Sequence, residues 1–193
     1  MNLTPVTLQG RHVRLEPLTI GHLDALCEVG LDPDLWALIP VRAHSKEEMR
    51  EYVETALRLQ NAKSALPFVT IDQTSGRVVG STRFMNIDVP NRHVEIGSTW
   101  IAKPWQRTAI NTEAKFLMLR YAFETLGCLR VELKTDSLND KSRNAILRIG
   151  AKQEGIFRNH MICWNGRIRH TVWFSVIDSE WLAVKARLEE RLA

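Results

Sequence analysis

No stretch of the 193 residues is apolar for long enough to span a bilayer as a helix, and the first ten, Met1 to Gly10, lack the charged and apolar blocks of a secretory signal. Both absences point to a soluble, cytoplasmic protein with no membrane role. Cysteine is scarce: Cys27, Cys128 and Cys163 are odd in number, far apart and form no Cys-x-x-Cys pair. That argues against a disulfide framework and against a zinc site, so three buried thiols and no metal are expected. Tyrosine is scarcer still, with only Tyr52 and Tyr121. There is no internal repeat, low-complexity run or linker, and residues 1–193 are expected to form one domain with a sizeable core.

What is present is an ordinary globular balance, 45% hydrophobic and 25% charged, with a net charge of +4. The distribution says more than the sum. Residues 120–170 hold ten Lys or Arg against five Asp or Glu, leaving 16 against 17 elsewhere. A polyphosphate ligand, a nucleic acid or a merely solvated surface would each fit that local excess.

Periodicity divides the chain into elements. His12 to Pro17 alternates Val13 and Leu15 with Arg14 and Glu16, predicting a strand, and a helix comes next from near Thr19. Ser45 and Glu48 form a capping-box pattern opening a helix to about Ala62. Leu66 to Asp72, Arg77 to Ile87 and Arg92 to Ala102 are rich in Val, Ile, Thr, Phe and Trp and are separated by turn residues, which predicts an antiparallel meander. Then come a helix Thr112 to Leu126, a strand Leu129 to Thr135, a helix Asp140 to Ile149 and two strands, Lys152 to Ile162 and Arg167 to Ile177. The last two are joined through Asn165-Gly166, a dipeptide tolerant of positive φ. A helix from Ser179 ends the chain.

One junction carries the most chemistry. Trp105 to Lys115 joins the strand Val94 to Ala102 to a helix through a short polar turn, where free amides meet the positive end of a helix dipole and favour an anion such as phosphate. Arg107 can pair with phosphate, Thr108 and Thr112 can donate hydroxyl bonds, and Asn111 is suited to cap the helix.

This segment is similar to the acyl-CoA pyrophosphate loop of the GCN5-related N-acetyltransferases (GNATs), whose signature is Gln/Arg-x-x-Gly-x-Gly/Ala. Gln106 matches the first position, while Ala109 and Asn111 stand where glycines are usual. The element order resembles the same family. So do Asn139-Asp140-Lys141-Ser142 with Ile149-Gly150-Ala151 after them, and Glu95-Ile96-Gly97 with Glu154-Gly155 looks like the RimJ/RimL branch, which includes N-terminal acetyltransferases of ribosomal proteins. The resemblance implies an α+β fold, with a central mixed, mostly antiparallel sheet of about seven strands flanked by helices. It also implies acetyl-CoA as co-substrate and an amine acceptor, either a protein N-terminus or a small molecule, with a homodimer possible.

Acetyl transfer from a thioester needs a neutral amine, a polarised carbonyl and a proton for the departing thiolate. The resemblance implies that pantetheine lies in a gap beside the strand Val94 to Ala102, bonded to backbone groups of Trp100 and Ile101. A backbone amide near Ile101 would polarise the carbonyl. Gln106, Arg107, Thr108, Ala109, Asn111 and Thr112 would hold the phosphates, and Asn139 and Ser142 the pantetheine.

Glu95 is the candidate base. Strand alternation puts it on one face with His93, Gly97 and Thr99, opposite Val94, Ile96 and Trp100; a solvent-facing carboxylate and His93 as base are the alternatives. Ser142 is the candidate acid, or simply part of a helix cap, since neither tyrosine falls where relatives carry one. Trp36 is expected on the acceptor side, and Trp164 in a cleft or dimer contact. A non-catalytic acyl-CoA-binding module and a nucleic-acid-binding protein are the rival classes.

Overall fold

Alternation builds the sheet. In the computed structural model of residues 1–193, Val13 and Leu15 are fully buried while Arg14 and Glu16, which alternate with them, bond one another at 2.6 Å on the other face. The strands are β1 (Leu8–Gln9), β2 (Val13–Pro17), β3 (Leu66–Asp72), β4 (Val78–Asp88), β5 (His93–Ile101), β6 (Arg130–Asp136), β7 (Lys152–Ile162) and β8 (Ile168–Ile177). They form one eight-stranded sheet in the order β1-β2-β3-β4-β5-β6-β8-β7. All neighbours are antiparallel except β5 and β6, which are parallel. The strand beyond the expected seven is β1, two residues that pair with Leu15 and Arg14 and carry no alternation of their own.

Helices α1 (Leu23–Gly30) and α2 (Lys46–Asn61) cover one face, and α3 (Ala109–Arg120), α4 (Asp140–Arg148) and α5 (Asp178–Leu192) the other. The core is accordingly double. On the first face Trp36, Leu26, Met49, Tyr52 and Val53 pack against Val69, Ile71 and Trp100. On the second, Ile110, Ala114, Leu117 and Met118 of α3 and Trp181, Val184 and Leu188 of α5 pack against Phe68, Phe84, Val94, Ile96 and Val131. Burial of this order is the dominant favourable term in folding.

Local chemistry sets the boundaries. Ser45 caps α2 by accepting from the Glu48 amide at 3.2 Å, but the Glu48 carboxylate returns to His44 N–H at 2.8 Å, one residue before the cap. At the β7–β8 turn Gly166 alone has positive φ (+80°), and Asn165 uses its side chain instead, accepting from Arg167 N–H at 3.1 Å. Of the three thiols, Cys128 and Cys163 are buried and Cys27 is half-buried.

One buried carboxylate ties the helical layer to the sheet edge. Glu113 of α3, 5% exposed, accepts N–H bonds from Arg11, His12 and Val13 at 2.9, 2.6 and 2.8 Å. Gly10 makes room for it, since a Cβ there would lie 2.4 Å from the Glu113 carboxyl carbon. Glu113→Ala leaves those donors unpaired and should cost about 2–4 kcal/mol in urea unfolding, with the m-value unchanged.

Candidate active site

The site begins where a pairing stops. β5 and β6 share only three register pairs, His93↔Arg130, Val94↔Val131 and Glu95↔Glu132. Beyond Glu95 the two parallel strands diverge, so the β6-facing edge of β5 from Gly97 to Ile101 has no strand partner. A bulge accompanies the divergence. The β4–β5 register slips by one residue between Arg83↔Gly97 and Ser81↔Trp100, and Ser98 sits there with φ of +48°. A non-glycine residue in this region is uncommon and costly, and such residues cluster at functional sites.

The bulge corrects the expected alternation. Val94 and Ile96 do face the α3 layer, but the extra residue reverses the facing of the next positions. Thr99 faces α3, where it bonds Lys115, and Trp100 joins the α1–α2 side with Trp36 and Tyr52. Glu95 and Gly97 stay on that same side. Trp36 is also corrected, being fully buried with its indole N–H on Gly30 O, so it forms core and lines no cleft. Trp164 is 39% exposed and reaches back from the hairpin to donate to Trp36 O at 3.3 Å.

Two helix starts flank the open end of the gap, because α3 comes after β5 and α4 after β6. At α3 the N-cap is Thr108, whose hydroxyl accepts from Ile110 N–H at 3.3 Å and donates to Trp105 O at 2.8 Å. Asn111 therefore lies inside the first turn and does not cap it, contrary to expectation, because the helix begins three residues earlier than its apolar period. The left-handed residue of the turn is Arg107, φ +63°, so Ala109 and Asn111 are helical and need no glycine. Gln106 braces the turn by donating to Ile101 O at 2.8 Å, which occupies that carbonyl.

Arg107, Thr108, Ala109 and Thr112 line a cleft of about 550 Å³ together with Arg148 of α4 and Arg191 of α5. Three guanidiniums at a helix N-terminus suit a polyphosphate. Arg148 and Arg191 carry no local signal in the sequence, because only packing brings the ends of three helices together. At α4, Asn139 is the N-cap, accepting from Ser142 N–H at 3.0 Å, and the Ser142 hydroxyl has no partner within the chain.

The α1–α2 face of the sheet carries a polar cluster. Glu95 is 2% exposed; its Oε2 accepts from Asn86 Nδ2 at 2.7 Å and from Lys134 Nζ at 2.8 Å, while Oε1 carries no bond from the chain. It is thus a buried, paired carboxylate and not a solvent-facing one. Lys134 Nζ lies 4.9 Å from the centre of the Trp173 ring. His160 packs edge-on to Trp173 and shares a hydrogen bond with Thr171 at 3.0 Å. Burial and the charges of Lys134 and Arg169 hold its pKa below the usual histidine range. His93, at the start of β5, is instead paired with Asp88 at 3.3 Å.

Tyr52 bonds Ser98 O and Oγ, both at 3.2 Å, under a guanidinium from Arg83 at 4.9 Å from its ring. Burial pushes the phenol up, but the Arg83 charge and the serine bonds bring it net below its ordinary value. Lys134, His160, Tyr52 and Arg83 escape sequence reasoning because each joins the site across strand pairings or helix packing that no local pattern encodes.

A family profile described as "Acetyltransferase (GNAT) domain" matches residues 12–152. A GCN5-related N-acetyltransferase from Brucella melitensis superposes with a TM-score of 0.90 at 36% identity, covering 98% of this chain and 86% of that one. YdaF of Bacillus subtilis, named as a candidate ribosomal N-acetyltransferase, is 37% identical over 106 residues, 55% of this chain and 57% of that protein. Less than two thirds of that relative's length is therefore matched. RimJ of Mycobacterium smegmatis, solved in complex with CoA-disulfide, shares the fold with a TM-score of 0.85 at 20% identity, covering 98% of this chain and 96% of that one.

Behind the bulge, Lys115 is buried, with Nζ 2.6 Å from Thr99 Oγ1 and 3.3 Å from Thr82 Oγ1. Burial lowers its pKa from 10.5 to about 7. Between those values the unfolded chain holds a proton that the folded state has shed, so stability rises with pH across this window and the penalty is complete below 7. Thr82 and Thr99 keep each other at 2.7 Å without the lysine. Lys115→Met should therefore raise stability by about 1–4 kcal/mol below neutral pH. In unfolding curves across pH, that gain should shrink as the pH rises towards 10.5.

Proposed function

Because this chain belongs to the acetyltransferase (GNAT) family, we propose that it transfers an acetyl group from acetyl-CoA to a primary amine by direct attack, without a covalent enzyme intermediate. One observation carries the reading: a gap opened by three-pair parallel pairing, with a cationic cleft at its wide end and a buried carboxylate at its closed end. The CoA phosphates take the cleft of Arg107, Thr108, Ala109, Thr112, Arg148 and Arg191. The pantetheine arm runs back along the unpaired edge of β5 beside Trp100, and Asn139 and Ser142 contact it from α4. An N–H of the bulged segment polarises the thioester carbonyl.

The acceptor enters over Glu95. Its free Oε1 anchors the ammonium and takes the proton as the amine attacks. Ser142 supplies a proton to the departing thiolate. The acceptor is a protein N-terminus, as the name of YdaF and the RimJ/RimL-like motifs favour, and small amines form the second class to assay. Dimerisation would use the edge strand β7, which exposes Ile156 and Ile162 by 50% and 76%.

Acetyl-CoA at 100 times its Kd should add about 2.7 kcal/mol of stability in a thermal-shift titration. Thiol release across a panel of N-terminal peptides and small amines identifies the acceptor. With that acceptor, Glu95→Gln should lower kcat by about 10²–10⁴ and Ser142→Ala by less, both retaining the thermal shift. An absent shift at saturating acetyl-CoA would refute the reading, and unchanged rates in both variants would refute the residue roles.

A further inference from the structure

The acceptor face already contains an amine. Extending the β5–β6 register by the offset of its last pairs places Lys134 opposite Gly97. Lys134 is thus the first β6 side chain on this face beyond the closed end of the gap. It does not turn to solvent: the side chain is 18% exposed, its Nζ touches Glu95 at 2.8 Å, and its charge lies over Trp173. Gly97 keeps this corner open, since a Cβ there would lie 2.7 Å from Met85 Sδ and 2.8 Å from Glu95 Oε1. A nucleophilic nitrogen, a carboxylate to take its proton and an aromatic face to hold its cation are the three parts an external amine would need.

Other lysines are placed differently. Lys103 is held by Asp32 and Asp34, Lys152 by Glu180 and Lys185 by Glu124, all by carboxylates outside the gap. Lys115 is enclosed behind the sheet on the α3 side.

We propose that Lys134 is an internal acetyl acceptor: with acetyl-CoA bound and no external amine present, the protein acetylates its own Lys134. The inference rests on the cofactor path proposed above, in which an N–H of the bulged segment, adjoining Gly97, polarises the thioester carbonyl. Glu95 takes one proton from the Lys134 ammonium, and the freed lone pair forms the N–C bond at the thioester carbonyl. The C–S bond breaks with its electron pair going to sulfur. The amide nitrogen ends neutral, the CoA thiol takes one proton, and one is released to water. The product side chain carries no charge and gives up both its ion pair with Glu95 and its cation–π contact with Trp173.

The test is incubation of the full chain with acetyl-CoA and no acceptor, then intact mass and peptide mapping over time, with a thermal-shift titration of acetyl-CoA alongside. The expected result is one acetyl group per chain, on Lys134, at a first-order rate independent of protein concentration. That rate should exceed those at Lys103 and Lys152 by at least about tenfold and rise with pH. Glu95→Gln should slow it by about 10² or more. Lys134→Arg should abolish the addition while the acetyl-CoA shift persists. A clear acetyl-CoA shift with no acetyl on Lys134 would overturn the inference and leave the cofactor reading standing. So would acetyl groups spread evenly over exposed lysines, or added equally to the arginine variant. No shift at all would overturn both.

Discussion

The early end of one parallel strand pair is the constraint on which the rest depends. Antiparallel neighbours such as β3 and β4 or β7 and β8 are joined by short turns, but β5 and β6 run in the same direction and must be joined by a crossover, which here is the turn and α3. Their C-terminal ends point the same way, the arrangement that in open parallel α/β sheets makes a ligand crevice outside the strand ends. The divergence after Glu95↔Glu132 extends that crevice into the sheet itself. It leaves backbone groups without strand partners, a cost of folding that persists only where something else satisfies them.

Several side chains hold the opening in place. The Ser98 bulge is braced from the α2 side by Tyr52 and, one residue on, from the α3 side by Lys115 through Thr99. α3 is in turn fastened to the sheet edge by Glu113. None of these contacts touches the cleft of Arg107; the first two hold β5, one wall of the gap, and the third anchors the helix behind it. A buried lysine with only hydroxyl partners is a poor way to make a stable core. Its position directly behind the bulge gives it a physical context, a polar peg where an apolar side chain would leave Thr82 and Thr99 bonded only to each other and to Met118.

Much of this is legible in the chain, and the exceptions have a common cause. Strands with alternation, the helix capped by Ser45 and the position of the Asn165-Gly166 turn fall where periodicity and turn chemistry put them, because those signals act over a few residues. The bulge at Ser98 is illegible: Gly97-Ser98-Thr99 reads as uninterrupted strand, and one extra residue reverses the facing of Thr99 and Trp100. The polar turn before α3 can be located from sequence, but its conformation cannot. Missing glycines at 109 and 111 matter only if those residues need positive φ, and Arg107 carries it instead. Glu95 stands out in the sequence and its surroundings do not, since Lys134 reaches it through a parallel register set by the crossover.

That last contact bears on what the site recognises. A carboxylate 2% exposed with no cation beside it would carry a desolvation cost of several kcal/mol. Lys134 and Asn86 offset it by sharing Oε2, and they leave Oε1 uncommitted. Under the proposed role of Glu95, an incoming ammonium would meet a carboxylate that is already held in place, but whose charge is already half answered. Such a site attracts an amine less strongly than a bare carboxylate would.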